Sequence, residues 1–147
     1  MRDACRLAGA QLHGPYSVED ALRLRQAGLL VWRVVRLEAA EDIERIPSAA
    51  AGADAVLVEP RVAHAEGGAG VALPVGLGRQ VRQVRHKLRC RLVLAGGLRP
   101  DTVAQAVGLV RPDVVDVSSG VEILPGIKDS RKIEQFVEAV RGLSPVA

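Results

Sequence analysis

The stretch Arg91–Gly126, RLVLAGGLRPDTVAQAVGLVRPDVVDVSSGVEILPG, decides the fold. It holds two short apolar strands, Leu92–Ala95 and Val114–Val117, separated by one helical segment. Each strand runs directly into a loop of small residues, the first into Gly96-Gly97 and the second into Ser118-Ser119-Gly120. Exposed backbone N–H groups at the carboxyl ends of parallel strands are well suited to bind phosphate. The stretch therefore predicts two consecutive βα units that share a phosphate site.

The same alternation extends through the rest of the chain. Three further apolar strands precede the opening stretch, at Ala10–His13, Val31–Leu37 and Ala55–Val58. Short, continuously apolar strands that alternate with amphipathic helices are typical of a parallel sheet covered by helices. The predicted fold class is therefore α/β, with five βα units in a single domain over residues 1–147.

The helices are predicted from the spacing of apolar side chains and from residues that cap or stop a helix. Ser17 begins the first helix with Asp20 in the capping-box position, and Gly28 ends it. The remaining helices are expected at Ala40–Ala51, at about Gly78–Leu88, at Val103–Val110 between Pro100 and Pro112, and from Asp129 or Ser130 to Gly142.

Two segments fall outside this pattern. Met1–Gly9 is interpreted as the remnant of a preceding helix, with Gly9 at its carboxyl-terminal stop. Arg61–Gly78 is predicted to be a loop, since it carries His64, Glu66 and the run GGAG at residues 67–70.

Bulk composition excludes several classes of protein. Apolar residues make up 48% of the chain and charged residues 25%, which suits one domain with a substantial core. Aromatic residues make up only 2%, too few for a base-stacking surface. Basic residues cluster between Arg79 and Arg91, but they alternate with apolar residues at helical spacing. We interpret them as the solvated face of a helix and expect no nucleic-acid partner.

The cysteines and the termini bear on location. Cys5 and Cys90 have neither a metal-ligand spacing nor a disulfide framework, which fits a reducing compartment. No apolar run reaches the roughly 18–20 residues of a membrane span, and the amino-terminal segment lacks the apolar core of a secretory signal. We expect a cytoplasmic protein with no metal site. Both cysteines are interpreted as inert.

Four motifs connect this chain with a known family. The chain carries QLHG at Gln11–Gly14, LAGGLRPDTV at Leu94–Val103, DVSSGVE at Asp116–Glu122 and PGIKD at Pro125–Asp129. In their order and spacing they resemble the motifs of phosphoribosylanthranilate isomerase, an enzyme family of tryptophan biosynthesis. The resemblance covers essentially the whole chain but only part of the family.

The resemblance implies a particular architecture. The five βα units are similar to strands four to eight of the family's TIM (β/α)8 barrel, so the expected fold is a partial barrel with covering helices. Five strands cannot close with the tilt and shear of eight, and two sheet edges stay open. We therefore expect self-association, or a complementing N-terminal half-barrel that supplies strands one to three.

The resemblance also implies a reaction, the Amadori rearrangement of N-(5-phosphoribosyl)anthranilate to carboxyphenylamino-deoxyribulose phosphate. It requires a general acid, a general base and an anchored phosphate, and no cofactor. The family's acid, an Asp, corresponds to Glu59, whose carboxyl lies one methylene farther out. Two family groups have no counterpart in these 147 residues: the general-base Cys of a Lys-x-Cys-Gly motif, and the Arg after strand two that holds the anthranilate carboxylate.

The phosphate-binding residues match the family one by one. Asp116 precedes the serine-containing loop, and it either orders that loop or binds sugar hydroxyls. The predicted phosphate-binding residues are Gly96, Gly97, Ser118, Ser119 and Gly120.

Two further residues are predicted to bind substrate. His13 ends a strand, where barrel enzymes place their sites, and it matches a substrate-lining position. Arg33 matches a basic position that faces the barrel interior. Arg36 is three residues further along the same strand, so it is expected to point to the opposite face and into solvent.

Three hypotheses about function remain open at this point. The first is an isomerase that needs the missing N-terminal strands for activity, with the histidine-pathway ribosylamine as a further possible substrate. The second is a non-catalytic phosphosugar-binding or assembly remnant of the family. The third is a truncated reading frame that does not fold stably alone.

Overall fold

The structure is a computed structural model that describes residues 6–61 and 72–143. Five strands form one parallel sheet in chain order, each hydrogen-bonded to the next. Their bounds are β1 Gly9–Leu12, β2 Leu30–Leu37, β3 Ala55–Pro60, β4 Arg91–Leu94 and β5 Val114–Val115. This arrangement confirms the α/β class and the five parallel strands predicted from the sequence.

Helices follow the strands along the chain. They are α1 Val18–Gln26, α2 Arg45–Ala50, α3 Val75–Val84, α4 Val103–Val110 and α5 Ser130–Arg141. Short 3-10 turns precede α2 at Ala40–Glu44, follow α3 at Arg85–Lys87, and follow β5 at Ser119–Val121. No helix in the described residues is long and apolar enough to cross a membrane.

The helix ends follow the capping residues. Ser17 caps α1 and forms the predicted capping box with Asp20, and Gly28 beyond the helix end has a φ of 77°. Asp129 caps α5 by accepting hydrogen bonds from the backbone N–H groups of Arg131 and Lys132. These two helices therefore begin where the sequence predicts.

Two apolar clusters lie on opposite faces of the sheet. The larger cluster packs one face of β2, β3 and β4 against the helices, and it includes Val35, Val58 and Leu94. The smaller cluster lies on the other face and is built around Leu57 and Val93, both almost completely buried. We call the face with the smaller cluster the inner face. Side chains alternate between the two faces along each strand.

Several boundaries differ from the sequence-based expectation. Helix α3 begins at Val75, three residues before Gly78, and β5 has two residues rather than four. An antiparallel ribbon, β6 Glu122–Leu124 and β7 Ile127–Lys128, was not predicted at all. Strands of two or three residues are too short to show a periodicity, so the ribbon was interpreted as loop.

The start of the chain also requires a correction. Gly9 is the first residue of β1 and does not end a helix, and Arg6 has a φ of 49°, which no helix adopts. The predicted helix remnant is therefore wrong over residues 6–9, while Cys5 lies outside the described residues. His64, Glu66 and the glycine run at residues 67–70 also lie outside them.

Candidate functional site

The loops that follow β4 and β5 pack directly against each other. Gly96 and Gly97 both have positive φ values, 81° and 64°, a conformation that strongly favours glycine. A Cβ atom on Gly120 would lie 1.7 Å from the carbonyl oxygen of Leu98. Since that oxygen belongs to the backbone, no side chain could move aside to make room. The two predicted phosphate loops thus form one interlocked unit.

This unit adjoins the carboxyl end of β3. A Cβ atom on Gly96 would lie 2.4 Å from Cδ of Pro60 and 3.3 Å from Cβ of Glu59. The predicted general acid and the predicted phosphate loops therefore lie side by side at the carboxyl end of the sheet, although Gly96 is 37 positions after Glu59 in the sequence.

Lys128 contacts the serine-containing loop through hydrogen bonds to Ser118. Its Nζ donates hydrogen bonds to the carbonyl oxygen of Ser118 at 2.9 Å and to Oγ of Ser118 at 3.1 Å. It also lies 2.5 Å from Oε1 of Glu122. The hydrogen bond from Lys128 holds the pKa of the Glu122 carboxyl below its usual range. The sequence reasoning assigned Lys128 no role, although the PGIKD motif contains it.

Glu59 is paired with Arg36 on the neighbouring strand. The two residues are register partners, and Nε of Arg36 donates to Oε1 of Glu59 at 2.9 Å. The alternation along β2 places Arg36 with Trp32 and Val34 on the inner face, and Glu59 shares that face with Ala55 and Leu57. The expectation that Arg36 points away from the site is therefore wrong, whereas the expectation that it is solvated is confirmed, because its side chain is 44% exposed.

Arg33 requires the converse correction. By the alternation along β2, it lies on the same face as Val35 and Leu37, which belong to the cluster packed against the helices. Its guanidinium group donates to the carbonyl oxygen of Tyr16, in the segment that leads into α1. The predicted inward orientation of Arg33 is wrong. Because both faces of β2 carry apolar residues, the sequence alone did not distinguish the inner face from the outer.

His13 follows β1 and borders a cleft at the same edge of the sheet. Its Nε2 is 2.9 Å from Nε2 of Gln11. The cleft has a volume of about 270 Å³ and is lined by His13, Gly14, Val34, Arg36, Arg45 and Arg61. We call it the arginine cleft. It brings His13, which was predicted to line the site, together with Arg36, which is ion-paired to Glu59.

Asp116 follows β5 directly. Its backbone N–H donates to the carbonyl oxygen of Leu94 at 2.9 Å, which extends the pairing of β4 and β5 by one hydrogen bond. Its side chain is exposed. Asp116 is two residues after Val114 of the inner cluster, and residues two apart in a strand lie on the same face. Asp116 therefore lies on the inner face beside the serine-containing loop.

Cys90 lies at the amino ends of the strands, on the opposite side of the sheet from the carboxyl ends that carry the candidate site. It immediately precedes β4 and packs partly against the helix-facing core. Burial raises the pKa of its thiol, so the nucleophilic thiolate is disfavoured at neutral pH. This position agrees with the inert role expected from the sequence. Within the described ranges, no group of three or more His, Cys, Asp or Glu side chains could hold a metal ion.

The basic residues between Arg79 and Arg91 lie around α3 and the turn that follows it. Leu77 and Val81 of α3 are buried, whereas Arg79 and Arg82 are exposed. Arg85 binds both carboxylate oxygens of Asp113 at 2.7 Å. The interpretation as the outer face of a helix is confirmed for Arg79 and Arg82, whereas the rest of the run lies in the 3-10 turn, the loop after it and the first residue of β4.

Glycine-rich loops, a carboxylate and cationic groups thus lie together at the carboxyl ends of parallel strands, which is where enzymes of the (β/α) class place their sites. The chain belongs to the N-(5'phosphoribosyl)anthranilate (PRA) isomerase family, which matches residues 2–139. It is 40% identical to the N-(5'-phosphoribosyl)anthranilate isomerase of Pseudomonas aeruginosa over 139 residues, 95% of this chain and 62% of that protein. It is 36% identical to the Zymomonas mobilis enzyme over 145 residues, 94% of this chain and 64% of that protein.

Solved structures agree with this assignment. The phosphoribosyl anthranilate isomerase of Thermotoga maritima superposes with a TM-score of 0.80 at 32% identity, over 97% of this chain and 65% of that one. A phosphoribosyl anthranilate isomerase in complex with reduced 1-(o-carboxyphenylamino)-1-deoxyribulose 5-phosphate gives 0.77 at 30% identity, over 97% of this chain and 63% of that one. The chain thus spans less than two thirds of the length of each of these relatives.

Proposed function

We propose that this chain carries out phosphoribosylanthranilate isomerisation as the five carboxyl-terminal βα units of a (β/α)8 barrel. The single observation that carries the proposal is the close approach of Gly96 to Glu59, such that a Cβ atom added to Gly96 would lie 3.3 Å from Cβ of Glu59. It unites a phosphate-binding loop and a carboxylate at one edge of the sheet. Family membership supports the reaction, and the coverage of each relative supports the partial barrel.

The substrate phosphate binds at the interlocked loops after β4 and β5. Backbone N–H groups of Gly96, Gly97, Ser119 and Gly120, together with the Ser118 hydroxyl, supply the hydrogen bonds. Lys128 behind Ser118 adds a positive charge next to the loop. Anchoring the phosphate orients the sugar toward Glu59, which supplies the proximity that an acid–base reaction requires.

Glu59 acts as the general acid. Its proton passes to the ring oxygen of the sugar, the bond from that oxygen to C1 breaks, and the nitrogen lone pair forms a C=N bond. A base then removes the proton from C2, and the electrons of that C–H bond form the enolamine as those of C=N return to nitrogen. Tautomerisation gives the aminoketose, so the reaction needs no external oxidant or reductant.

His13 and Asp116 line the substrate on either side of Glu59. His13 follows β1 and borders the arginine cleft, whereas Asp116 follows β5 beside the phosphate loops. Imidazole and carboxylate groups at these two ends can hydrogen-bond the sugar hydroxyls. Because the guanidinium group of Arg33 contacts Tyr16 on the helix side, Arg33 has no part in this arrangement.

The general base comes from outside these 147 residues. Neither Cys5 nor Cys90 lies in a Lys-x-Cys-Gly motif. Cys90 also lies at the amino end of β4, away from the carboxyl ends where the site lies. The open edges of β1 and β5 are the places where complementing strands pair. A half-barrel with strands one to three of the family, supplied in cis or in trans, completes the site in the cytoplasm.

Complementation tests the proposal. The chain is co-expressed with an N-terminal fragment of a family member that carries Lys-x-Cys-Gly, and isomerase turnover of the purified complex is measured. We expect turnover that Glu59→Gln reduces by at least about a hundredfold, the typical contribution of a general acid. A folded complex without turnover contradicts the enzymatic proposal.

The absence of the general-base motif from these 147 residues favours a second candidate, a non-catalytic phosphosugar-binding or assembly protein. Both functions require the phosphate loops, so binding alone does not separate them. Binding of the reduced product analogue without any turnover in the complemented complex identifies the second function. Size-exclusion chromatography of the chain alone shows whether its open edges pair with a second copy.

A further inference from the structure

We propose that a cavity at the amino ends of the strands binds a small anion of the phosphate class with two or more negative charges. The cavity has a volume of about 480 Å³ and lies among the connections that lead into β3 and β4. We call it the amino-end cavity. None of the described residues that line it belongs to the candidate isomerase site, so the inference does not depend on the proposed function.

The charges that border the amino-end cavity favour an anion. Arg25, Lys87 and Arg89 supply three positive charges, whereas Asp54 supplies the one carboxylate among the described lining residues. A concave surface with an excess of positive charge raises the local concentration of anions. The volume also lies within the range of roughly 300–1,000 Å³ that is usual for small-molecule sites.

Asp54 is already paired within the protein. Its Oδ2 accepts a hydrogen bond from the backbone N–H of Val31 at 2.8 Å, and its Oδ1 lies 3.1 Å from Nη2 of Arg25. Its backbone carbonyl oxygen accepts from the N–H of Arg91 at 3.1 Å. These contacts connect β2, β3 and β4, so Asp54 forms a fixed part of the cavity wall. Because Arg25 offsets its charge, the carboxylate does not repel an anion in the cavity.

Lys87 and Arg89, in contrast, have no such partner. Neither side chain forms an ion pair or a hydrogen bond with any residue that the structure describes, and both residues are exposed. Arg85 in the same turn shows the difference, since it binds both carboxylate oxygens of Asp113 at 2.7 Å. The charges of Lys87 and Arg89 are therefore available to a ligand from solution.

The segment that carries these two cations is anchored in the core. Leu88 between them is buried, and its backbone N–H donates to the carbonyl oxygen of Arg85 at 3.1 Å. Its backbone is extended, with φ −88° and ψ 131°, so the residues on either side of it point away from the core. Lys87 and Arg89 thus border the same cavity. A planar guanidinium group and a compact ammonium group together match the oxygens of a phosphate.

A ligand in the amino-end cavity would connect three βα units. Its contacts come from the last turn of α1, from the turn before β3 and from the segment before β4. Conservation of the reaction does not require this end of the sheet, because barrel enzymes place their chemistry at the carboxyl ends. A ligand that binds only the folded chain stabilises it by mass action. We therefore infer a stabilising anion site that is separate from the reaction.

Inorganic pyrophosphate is the probe, and calorimetric titration at fixed ionic strength is the measurement. Reduced 1-(o-carboxyphenylamino)-1-deoxyribulose 5-phosphate is present in excess to keep pyrophosphate away from the phosphate loops. We expect saturable binding by the wild type, and at least about tenfold weaker binding by Lys87→Met/Arg89→Met, the contribution of charge-assisted hydrogen bonds. Arg79→Met/Arg82→Met removes two charges from the exposed face of α3 and should retain the wild-type affinity.

Urea unfolding of the same proteins shows that each variant folds and gives a second readout. Pyrophosphate should raise the urea midpoint of the wild type and of the α3 variant, but not that of Lys87→Met/Arg89→Met. Absence of pyrophosphate binding by the folded wild type overturns the site, and so does unchanged affinity in folded Lys87→Met/Arg89→Met. An equal loss in both double variants also overturns it, because the attraction then follows net charge. Isomerase turnover in the complemented complex decides the proposed function separately.

Discussion

At the scale of single residues, the site depends on which face of the sheet each side chain occupies. Arg33 and Arg36 are close in sequence, yet only Arg36 reaches the inner face and contacts Glu59. A glutamate here is one methylene longer than the family's aspartate. Arg36 donates a hydrogen bond to Oε1 of that longer side chain. This hydrogen bond restricts the position of the Glu59 carboxyl despite the added methylene.

Lys128 gives the first prediction at this scale. Lys128→Met removes an ammonium group that bonds both the carbonyl oxygen and the hydroxyl of Ser118. We expect phosphate-ligand affinity to fall about tenfold, since hydrogen bonds to charged groups contribute about 1.5–3 kcal/mol. Titration with the reduced product analogue measures the effect, and Arg82→Met, on the exposed face of α3, serves as control. Unchanged affinity in Lys128→Met would mean that the ammonium group does not order the loop.

The sequence predicted which residues belong to the site better than it predicted which face of the sheet their side chains occupy. Glu59, Gly96 and Gly120 were identified from motifs, and the structure places all three at one edge of the sheet. The pairing of Arg36 with Glu59 depends on the register between β2 and β3, which residues on one strand do not reveal. Lys128 was missed because its partner Ser118 lies across a ribbon that the sequence did not predict.

At the scale of elements, the ribbon β6–β7 supports the phosphate loop. Lys128 in β7 connects Ser118 with Glu122, the first residue of β6. Lys132 in α5 donates to the carbonyl oxygen of Glu122 at 2.6 Å. The ribbon thus joins the loop after β5 to the last helix, and its geometry depends on the Glu122–Lys128 ion pair.

This ion pair gives a prediction about pH. The Lys128 hydrogen bond lowers the pKa of Glu122 in the folded chain below its ordinary value of 4.5. The stability contributed by Glu122 is therefore fully present above that ordinary value, and it is lost as pH falls through the lowered one. We expect Glu122→Gln to shift the urea midpoint equally at pH 6 and pH 7, and progressively less below about pH 4.5. A shift that is independent of pH would contradict this role.

Element prediction succeeded where local chemistry specifies a boundary. The capping box of Ser17 and the cap at Asp129 placed two helix starts correctly. It failed where packing decides. Helix α3 begins at Val75 with only Pro74 at its cap, and Gly78 lies inside it, where a Cβ atom would lie 2.5 Å from Leu109 of α4. Gly78 thus serves close helix packing rather than a helix end.

At the scale of the whole molecule, the sheet formed by the described residues has one face covered by helices and ends in two edge strands, β1 and β5. Its helix-facing side contains the larger core, whereas the inner cluster consists of residues in the strands or directly after them. Exposed apolar side chains of the ribbon and of α5 lie beyond β5, among them Ile123, Ile127 and Ile133. Clustered exposed apolar side chains mark interaction surfaces, and the proposed complementing half-barrel would cover this one.

The central claim is that the loops after β4 and β5 bind the phosphate of a ribosylamine-derived substrate. Gly120→Ala tests it most directly, because its Cβ atom would overlap the Leu98 carbonyl oxygen at 1.7 Å. Gly108→Ala is the matched control, since a Cβ atom at this position in α4 meets nothing within 4 Å.

The deciding measurement is calorimetric titration of the folded wild-type chain and both variants with reduced 1-(o-carboxyphenylamino)-1-deoxyribulose 5-phosphate. We predict saturable binding by the wild type and by Gly108→Ala, and an affinity weaker by about fivefold or more for Gly120→Ala, as an overpacked site costs about 1–3 kcal/mol. Equal affinity of Gly120→Ala and wild type, or no binding by the folded wild type, would contradict the account.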